Sequence, residues 1–359
     1  MPDGTTIISI ILSSDETHLT NFSGDKSMHA VYMSIGNIPN RTRRKVNAGA
    51  WMVLARLPTS KFPKTNFRTK SEAERMPGIL KRQLFHQCMR IVLKPLREDH
   101  RELRTVIDSE GNKRRCMSVL MAWVADLKEQ YDIAGLSPNS CPRCEARFED
   151  LGKPEPCPHR TGQSILDGLR RVRADYPTAN TWQFANKAKE LGFAGVEELC
   201  WEGLSVDICR IICVDNLHGL HKMFKDHMMD WLTNSIGEAE LDHRFMAQPH
   251  RVGARNFDSG ISHYSQWSGK GHRDLERHII PVIAGADGTQ PAVMKAMRAL
   301  MDFIYIAQYP LQSDVTLDEL KSALSAFHKN KDIFVQNGSR TGSAGVIDHM
   351  NIPKVHALH

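Results

Sequence analysis

The stretch VLMAWVADLKEQYDIAGLSPNSCPRCEARFEDLGKPEPCPHR, from Val119 to Arg160, decides how the rest of the chain is interpreted. It opens with a continuous apolar run, VLMAWVA, which is too short for a stand-alone helix and typical of a buried strand. The run ends on Asp126, so the sequence predicts a carboxylate at the tip of that strand. Catalytic acids are often mounted in this way. The alternative is that Asp126 merely ends the strand.

Thiols and an imidazole follow the predicted strand within one loop, as Cys141-Pro-Arg-Cys144 and then Cys157-Pro-His159. CxxC with a nearby CxH has the ligand types and approximate spacing of a tetrahedral zinc site. We therefore predict a zinc knuckle formed by Cys141, Cys144, Cys157 and His159. The alternative is a set of ordinary thiols in a proline-rich loop.

Length and composition limit the class of protein. A chain of 359 residues can bury a large core and is expected to form two structural units. The 8 cysteines are mostly scattered, which favours a reducing intracellular compartment. No apolar run approaches the roughly 20 residues that cross a bilayer, so no membrane partner is expected. A net charge of +6 permits nucleic-acid binding without requiring it.

The N-terminal part is predicted to be rich in strands. Thr5 to Ser14 is a β-branched run that reaches Asp15 in a polar turn, so a second carboxylate is predicted at a strand end. Met28 to Ile35 and Ala48 to Leu57 predict two further strands. The basic connection Arg41 to Lys45 is either a solvated turn or a phosphate contact.

A helix and two strands follow. The periodicity of Lys70 to about Arg101 predicts a helix broken at each end by Pro77 and Pro95. Residues 105–107 and 115–125 flank a polar turn and predict a hairpin that leads to Asp126. If Asp15 and Asp126 converge, their oxygens could bind Mg²⁺ or Mn²⁺, and two such ions about 3.5–4 Å apart can cleave a phosphodiester. The alternative is that either acid is a helix cap or turn residue.

Six ordered segments resemble the Plavaka group of cut-and-paste DNA transposases, which is similar to the CACTA-type elements. These segments are IISIILSSDETHLTNFSGDK, VYMSIGNIPNRTRR, VLMAWVADLKEQ, VDNLHGLHKMFKDH, GISHYSQWSGK and NIPKVHALH. The resemblance covers nearly the whole chain. It implies an α/β fold of the ribonuclease H-like DDE type: a mixed sheet with a zinc knuckle and a mostly α-helical insertion domain. In such a sheet the strands that carry the first two acids lie side by side.

The resemblance assigns individual residues. Asp15 in SSDET matches the first catalytic acid, and Asp126 in VADLKEQ matches the second. Cys141 and Cys144 match the CxxC that follows the second acid. Asp215 and His218 match a DxxH element of unassigned role. In VDNLHGLH, Asp215 either orients His218 by a hydrogen bond or serves as a plain N-cap.

The sequence also departs from the family pattern. Glu16 stands where a lysine is usual, and Leu127-Lys128 replaces Tyr-Pro after the second acid. The family's third acid belongs to a segment beyond NIPKxHAL, so we expect a core that lacks both ends. The candidate substitutes for the third acid are Glu276 and Glu319.

The remaining sequence is predicted to be largely helical, with one further apolar β-like run at 206–214. Residues 164–174 predict an amphipathic surface helix whose arginines are solvated or meet phosphate. The segment Glu238 to Gly271 interleaves basic residues with four aromatics, which either stack on DNA bases or lie inward. These aromatics are Phe245, Phe257, Tyr264 and Trp267.

The predicted organisation has four parts. A catalytic core spans residues 1–136, a zinc-knuckle loop 137–163, a helical insertion domain 164–336 and a flexible C-terminal segment 337–359. The predicted function is that of a nuclear DNA transposase fragment, with catalytic Mg²⁺ or Mn²⁺, structural Zn²⁺, DNA as partner and a possible homo-oligomeric assembly. The alternative is an inactive remnant that acts as a zinc-stabilised DNA-binding or interaction protein.

Overall fold

The computed structural model of the protein describes residues 3–20, 26–59, 61–99 and 103–359. Its contacts divide the chain into two compact units. The first comprises Met1–Arg147 with Cys157–Val214, and the second comprises Phe148–Pro156 with Asp215–His359. Within the described ranges, no helix is both long and apolar enough to cross a membrane.

The first unit is organised around a mixed sheet. Its strands are β1 (Thr6–His18), β2 (Ser27–Ile35), β3 (Met52–Leu57), β4 (Arg104–Ile107), β5 (Lys113–Ala125) and β6 (Ile212–Val214). In the described part of the chain they lie in the order β3-β2-β1-β5-β4, with β6 also paired to β5. β1 is antiparallel to β2 and parallel to β5, and β6 is parallel to the end of β5. The mixed α/β class and the pairing of the first and last strands of the core are therefore confirmed.

Helices complete the first unit and form most of the second unit. In the first unit they are α1 (Asn40–Arg43), α2 (Lys70–Val92), α3 (Lys94–Asp99), α4 (Leu127–Ala134), α5 (Gly162–Asp175), α6 (Thr181–Glu190) and α7 (Ile208–Ile211). In the second they are α8 (Asp230–Ile236), α9 (Glu238–Met246), α10 (Gly269–Ile283), α11 (Pro291–Ala307), α12 (Asp314–Asn330), α13 (Ile333–Gln336) and α14 (Pro353–His356). Two π-helical segments, Leu217–His221 and Phe224–Met229, lead into α8. Single 3-10 turns lie at Val46–Ala48, Lys64–Asn66 and Phe148–Asp150.

The core of the first unit joins the sheet to α2. Phe85 and Met89 of α2 pack in one cluster with Leu12 of β1 and Trp123 of β5. Leu12 and Trp123 are 0% exposed. Burying side chains of this size contributes about 1.5–3 kcal/mol each. The central pair of parallel strands is therefore fixed from one face.

The first unit extends further along the chain than the sequence suggested. Ile165 and Leu169 of α5 and Phe184 of α6 are buried in the same cluster as the strands. The predicted boundary at residue 164 therefore differs from the structural division, which falls after Val214. The apolar stripe of α5 packs on the core of the sheet unit, which agrees with the predicted amphipathic surface helix.

The second unit has its own apolar core. It gathers side chains from the π-helical segments, from α8 to α13 and from the C-terminal residues; examples are Phe224, Trp231, Ile279, Leu300, Phe327 and Val355. The segment predicted to be flexible, 337–359, contributes side chains to this core.

The same segment contains a small hairpin, β7 (Thr341–Gly342) with β8 (Gly345–Val346). Gly345 has φ of +108°, so glycine is required there by the turn.

Two local predictions were wrong. Pro77 lies inside α2, which begins at a capping box formed by Thr69 and Glu72. The helix continues through Pro77 because neighbouring side chains such as Met76 and Ile79 are buried. The apolar run 206–214 is only partly a strand, because Asp207 caps a turn of helix over Ile208–Ile211 before β6 begins.

Candidate catalytic and metal-binding sites

Asp15 and Asp126 lie just beyond the point where the parallel pairing of β1 with β5 ends. Asp126 directly follows β5. The polar turn predicted at Asp15 is wrong, because Asp15 lies within β1, which stays paired with β2 as far as His18. β1 pairs with β5 up to Ser13 opposite Val124. Asp15 comes two residues after Ser13, and Asp126 comes two residues after Val124. Adjacent strands are about 4.8 Å apart, so this register directs the two acids to one edge of the sheet.

The alternation of buried residues places both acids on the same face. Leu12 and Ser14 of β1 are buried, and so are Trp123 and Ala125 of β5. Because successive side chains point to opposite faces, Asp15 and Asp126 belong to the other face. A bulge in the pairing between Ile10 and Ile11 sets this phase. Without it, one of the two carboxylates would point into the core.

Each carboxylate is oriented by a local hydrogen bond. The Thr17 hydroxyl donates to Asp15 Oδ2 at 2.9 Å. The backbone N–H of Glu129 donates to Asp126 Oδ1 at 2.7 Å, so Asp126 is the N-cap of α4. The helix-cap interpretation of Asp126 is therefore correct. It does not exclude a metal-binding role, since a carboxylate has a second oxygen.

Buried polar side chains hold the ends of these strands together. Trp123 Nε1 donates to the Ser14 hydroxyl at 2.9 Å, which ties β5 to β1 one residue before Asp15 and three residues before Asp126. Gln130 Nε2 donates to the carbonyls of Ala125 and Cys213, at 2.9 and 3.4 Å. Gln130 therefore links the end of β5 to β6. Positioning by buried side chains is what a metal site needs if its ligands are to keep their geometry.

Glu16, the departure from the family pattern, is neutralised by a partner. Lys81 of α2 donates to Glu16 Oε2 at 2.6 Å, and the Ser27 hydroxyl donates to Oε1 at 3.0 Å. Burial alone would raise the pKa of Glu16, but these hydrogen bonds outweigh it and lower the pKa. The extra negative charge next to Asp15 is therefore compensated on the opposite face of the strand.

A second buried pair, which sequence reasoning missed, lies beside Glu16. His29 of β2 is opposite Glu16 in the sheet, and its Nε2 is 3.0 Å from Glu129 Oε1. Both side chains are buried, and His29 stacks on Phe85 at 5.6 Å between ring centroids. Burial alone would lower the pKa of His29, but the hydrogen bond to Glu129 outweighs it, and the pKa is raised above 6.5. The His29–Glu129 pair therefore supports the same turn that presents Asp126.

The stability of the first unit should depend on pH through His29. Because its pKa is raised in the folded state, protonated His29 stabilises the fold below the unfolded pKa of about 6.5, and this contribution is lost as the pH rises through the folded value. We expect His29→Gln to lower the free energy of unfolding by about 1.5–3 kcal/mol at pH 6. We also expect it to flatten the decline above pH 6.5, as measured by denaturant unfolding across the pH range.

Two features of the chain provide controls for this measurement. Buried His86 has a pKa lowered to about 4 by desolvation, so its contribution is lost as the pH falls below 6.5, and this acid-side loss should remain in the variant. His250→Gln removes an exposed His–Asp pair and should leave the profile unchanged. A His29 variant with the wild-type slope above pH 6.5 would contradict the assignment.

In the second unit, Asp215 is both a cap and an orienting group. Its Oδ1 accepts from the backbone N–H of His218 at 2.8 Å, and its Oδ2 lies 2.9 Å from His218 Nδ1. Burial alone would raise the pKa of Asp215, but the hydrogen bonds from His218 lower it. Both interpretations of the DxxH element are therefore correct: Asp215 caps the helical segment and also orients the His218 ring. This pair opens a π-helical segment, a feature that is frequent at functional sites.

Cys141 and Cys144 form the candidate zinc site of the first unit. Both are buried, and their ligand atoms lie within 4.8 Å of each other. The backbone N–H of Arg143 points to Cys141 Sγ at 3.4 Å. Arg160 Nε donates to the carbonyls of both cysteines, at 2.9 and 3.1 Å. Two buried thiols at this distance could supply two of the ligands of a zinc ion.

Cys157 and His159 follow on the neighbouring chain segment. His159 forms an isolated antiparallel bridge with Cys144, and the N–H of Glu145 donates to the Pro158 carbonyl at 2.9 Å. The segment therefore runs alongside the CxxC turn as a short ribbon. Among the described residues, however, the ligand atoms of Cys157 and His159 do not come within 4.8 Å of both thiols. The spacing that suggested all four ligands brings the backbones together but leaves these two side chains apart.

The predicted DNA-contacting stretches have mixed outcomes. Arg43 donates to the carbonyl of Ile38 at 3.0 Å and so closes its own turn, while Arg41 and Lys45 are exposed. In α5, Arg170 and Arg173 are paired with carboxylates, which agrees with a solvated face.

The aromatics of the second unit divide in two. Phe245 and Phe257 are buried in the core, at 1% and 2% exposure, so they lie inward. Tyr264 and Trp267 are half-buried and line a pocket.

The two candidate substitutes for a third acid behave differently. Both oxygens of Glu276 lie 2.9 Å from His221 Nδ1, and both side chains are buried. Glu276 is therefore committed to the interior of the second unit. Glu319 lies on an exposed position of α12.

The structure defines a mixed α/β protein in which two neighbouring parallel strands carry carboxylates at one edge of the sheet and a buried Cys pair follows. A family model described as Plavaka transposase matches residues 1–232, more than half of the chain. The protein belongs to the Plavaka transposase family, and the resemblance inferred from the sequence is confirmed. Membership implies DNA binding. Comparison with curated proteins finds no match.

Proposed function

We propose that this chain carries the first two catalytic acids of a DNA transposase. The reaction is hydrolysis of a phosphodiester at a transposon end, followed by attack of the freed 3′-hydroxyl on target DNA in the nucleus. The observation that carries the proposal is the parallel pairing of β1 with β5, which brings Asp15 and Asp126 to one edge and one face of the sheet.

The donor set fits a hard divalent cation. Both groups are carboxylates on exposed or half-buried positions, and each is oriented by a hydrogen bond to one oxygen. Oxygen ligands of this kind suit Mg²⁺ or Mn²⁺ rather than softer metals. The bound ion would activate water and stabilise the leaving oxygen. Asp15 and Asp126 would hold it, while Thr17 and the N-terminus of α4 keep the carboxylates in place.

The ribonuclease H-like fold is the finer part of this proposal. Its support is the strand order, in which an antiparallel set, β3-β2-β1, continues into the parallel neighbours β5 and β6. β5 is followed at once by Asp126, and β6 is followed at once by Asp215. Structural zinc on Cys141 and Cys144 would stabilise the loop that leaves α4.

A second candidate function is DNA binding without cleavage. The observation in its favour is the burial of Glu276 against His221, which removes one substitute for the third acid from use. In this case the protein keeps its fold and its DNA binding but no longer cleaves a phosphodiester.

One experiment separates the two functions. Duplexes taken from the genomic DNA that flanks the gene are incubated with the protein and Mg²⁺ or Mn²⁺, and nicked products are resolved. The transposase proposal expects metal-dependent nicks at defined positions that Asp126→Asn reduces at least about 100-fold, whereas Asp108→Asn, in the β4–β5 turn, has no effect. Binding to the duplex without nicks in the wild type would overturn cleavage and leave the second candidate.

A further inference from the structure

The second unit contains a preformed pocket that the catalytic proposal does not use. Its volume is about 410 Å³, within the range of small-molecule sites. The pocket lies between α8, the start of α9, the loop before α10 and the β7–β8 hairpin. Tyr264 and Trp267 supply its aromatic lining, and Lys225, Asp230, Asn234 and Glu238 supply polar groups.

The aromatic lining is held rigidly. Trp267 Nε1 donates to the Tyr264 carbonyl at 3.0 Å, and the two ring centroids are 5.5 Å apart. His272 is stacked on Trp267 at 6.0 Å with an interplanar angle of 16°. Arg255 lies 4.6 Å over the Tyr264 ring. The indole and the phenol are therefore fixed before any ligand enters, which lowers the entropic cost of stacking.

The walls of the pocket are fixed as well. Asp242 Oδ1 accepts from the backbone N–H groups of Ile261 and Ser262, at 2.6 and 3.1 Å, which anchors the loop to α9. Asn234 Nδ2 donates to Ser339 O at 2.8 Å and to Thr341 Oγ1 at 2.9 Å, which anchors the hairpin to α8. Two sides of the pocket are thus built by hydrogen bonds between separate elements.

The lining chemistry selects the ligand. The Tyr264 and Trp267 rings are inclined at 59° to each other, so a nucleobase would stack on one of them. Stacking on an aromatic side chain contributes about 1–3 kcal/mol per base. The carboxylates of Asp230 and Glu238 accept hydrogen bonds, and in DNA recognition Asp and Glu accept from the amino group of cytosine. Lys225 at the same pocket can meet a phosphate. The pocket therefore suits a base with an exocyclic amino group, presented on a DNA backbone.

We propose that this pocket binds an unpaired DNA base, cytosine in preference to thymine, that has left the duplex stack. The inference rests on the proposed function to the extent that the protein must bind DNA. A base inside a duplex cannot enter a pocket of this kind, so it must be unstacked, at a cost that is lowest when the base is already unpaired. The pocket would thereby fix the DNA where a strand is distorted or open.

The test uses the full chain and four DNA duplexes of identical flanking sequence. One is fully paired, and the others contain a single unpaired cytosine, thymine or abasic residue. We expect the unpaired cytosine to bind about tenfold more tightly than the fully paired and abasic duplexes, which corresponds to about 1.4 kcal/mol. Fluorescence anisotropy gives the dissociation constants.

Variants assign the effect to the pocket. Trp267→Ala should abolish the cytosine advantage and leave binding of the paired duplex unchanged, while Tyr309→Ala, an exposed aromatic outside the pocket, should keep it. Because Trp267 also contacts the core, Asp230→Asn is the second variant. An amide can donate to the thymine carbonyl, so this variant should reverse the preference from cytosine to thymine.

Three outcomes would overturn the inference. Equal affinity for the cytosine and abasic duplexes would show that no base is recognised. A trimethyllysine peptide that binds through Trp267, without a base effect, would make the pocket an aromatic cage for a cation. Failure to bind any duplex would remove the proposed function as well, whereas binding of paired DNA alone leaves that function standing.

Discussion

Asparagine at either Asp15 or Asp126 is expected to abolish saturable Mn²⁺ binding by the first unit. In isothermal titration calorimetry of the zinc-loaded protein, wild type should show a metal site, and each variant should lose at least about 100-fold in affinity. Outer-shell partners of metal ligands already contribute 10–100-fold, so loss of a ligand itself should cost no less.

Asparagine removes the negative charge of each aspartate and keeps its local hydrogen bond. Asn is as good an N-cap as Asp, so Asp126→Asn keeps the hydrogen bond from the Glu129 N–H and the start of α4. Asp126→Ala would in addition destabilise that helix by about 1 kcal/mol. Asp15→Asn likewise keeps a carbonyl oxygen for the Thr17 hydroxyl. A loss of metal binding in both Asn variants would therefore report on the paired negative charge.

The matched control is Asp108→Asn. Asp108 is a half-buried carboxylate in the β4–β5 turn, where the backbone N–H of Asn112 and the side chain of Arg114 lower its pKa to about 2. It is also a carboxylate, but it lies beside the start of β5, away from the end of β5 that leads to Asp126. Equal heats in the wild type and all three variants would contradict the metal site, because two converging carboxylates cannot then be what binds Mn²⁺.

The part of the fold that follows from local pattern was predictable. The apolar runs that end in Asp15 and Asp126 form β1 and β5, and the helix between the strands begins near its predicted residue. Strand boundaries shifted because the apolar pattern stops before the backbone pairing does. Thus β1 continues to His18 through its pairing with β2.

The part that depends on distant contacts was not predictable from one sequence. His29 and Glu129 are 100 residues apart, and no local pattern links them. Lys81 compensates Glu16 across 65 residues, although in the sequence Glu16 reads as an uncompensated charge. Such pairs exist only because the sheet brings β1, β2, α2 and α4 together. One signal could have indicated these pairs: a charged residue at a position where the apolar pattern of its strand or helix predicts burial must have a partner.

The C-terminal glycines illustrate a different difficulty. A stretch rich in Gly and Ser, 337–345, is typical of a flexible segment, but the same residues suit tight turns. Gly338 and Gly345 both have positive φ, at +70° and +108°, and they frame the β7–β8 hairpin. Arg340, between them, is buried, and its guanidinium lies 5.5 Å over the Trp231 ring. Composition alone cannot distinguish a glycine that a tight turn requires from a glycine in a flexible segment.

Serine at Cys141 or Cys144 is expected to remove one equivalent of zinc and to destabilise the first unit strongly. The ribbon around the two thiols is held by backbone contacts such as Arg160 N–H to the Arg143 carbonyl, at 3.0 Å. A ligand present at 1,000 times its dissociation constant stabilises the folded state by about 4 kcal/mol. Chelation of zinc from the wild type should therefore lower its unfolding temperature, and neither variant should respond to chelation.

Three further variants determine which groups complete the site. Cys88→Ser, at a half-buried cysteine of α2 outside the ribbon, is the control and should retain full zinc content. Cys157→Ser and His159→Asn change side chains whose ligand atoms lie apart from the thiol pair, so we expect both to keep most of the metal. Zinc content is measured by atomic emission, and protection of the ribbon by hydrogen exchange. A full loss in Cys157→Ser would show that the ribbon closes on the metal as it binds, whereas full zinc content in Cys141→Ser would exclude the buried pair as ligands.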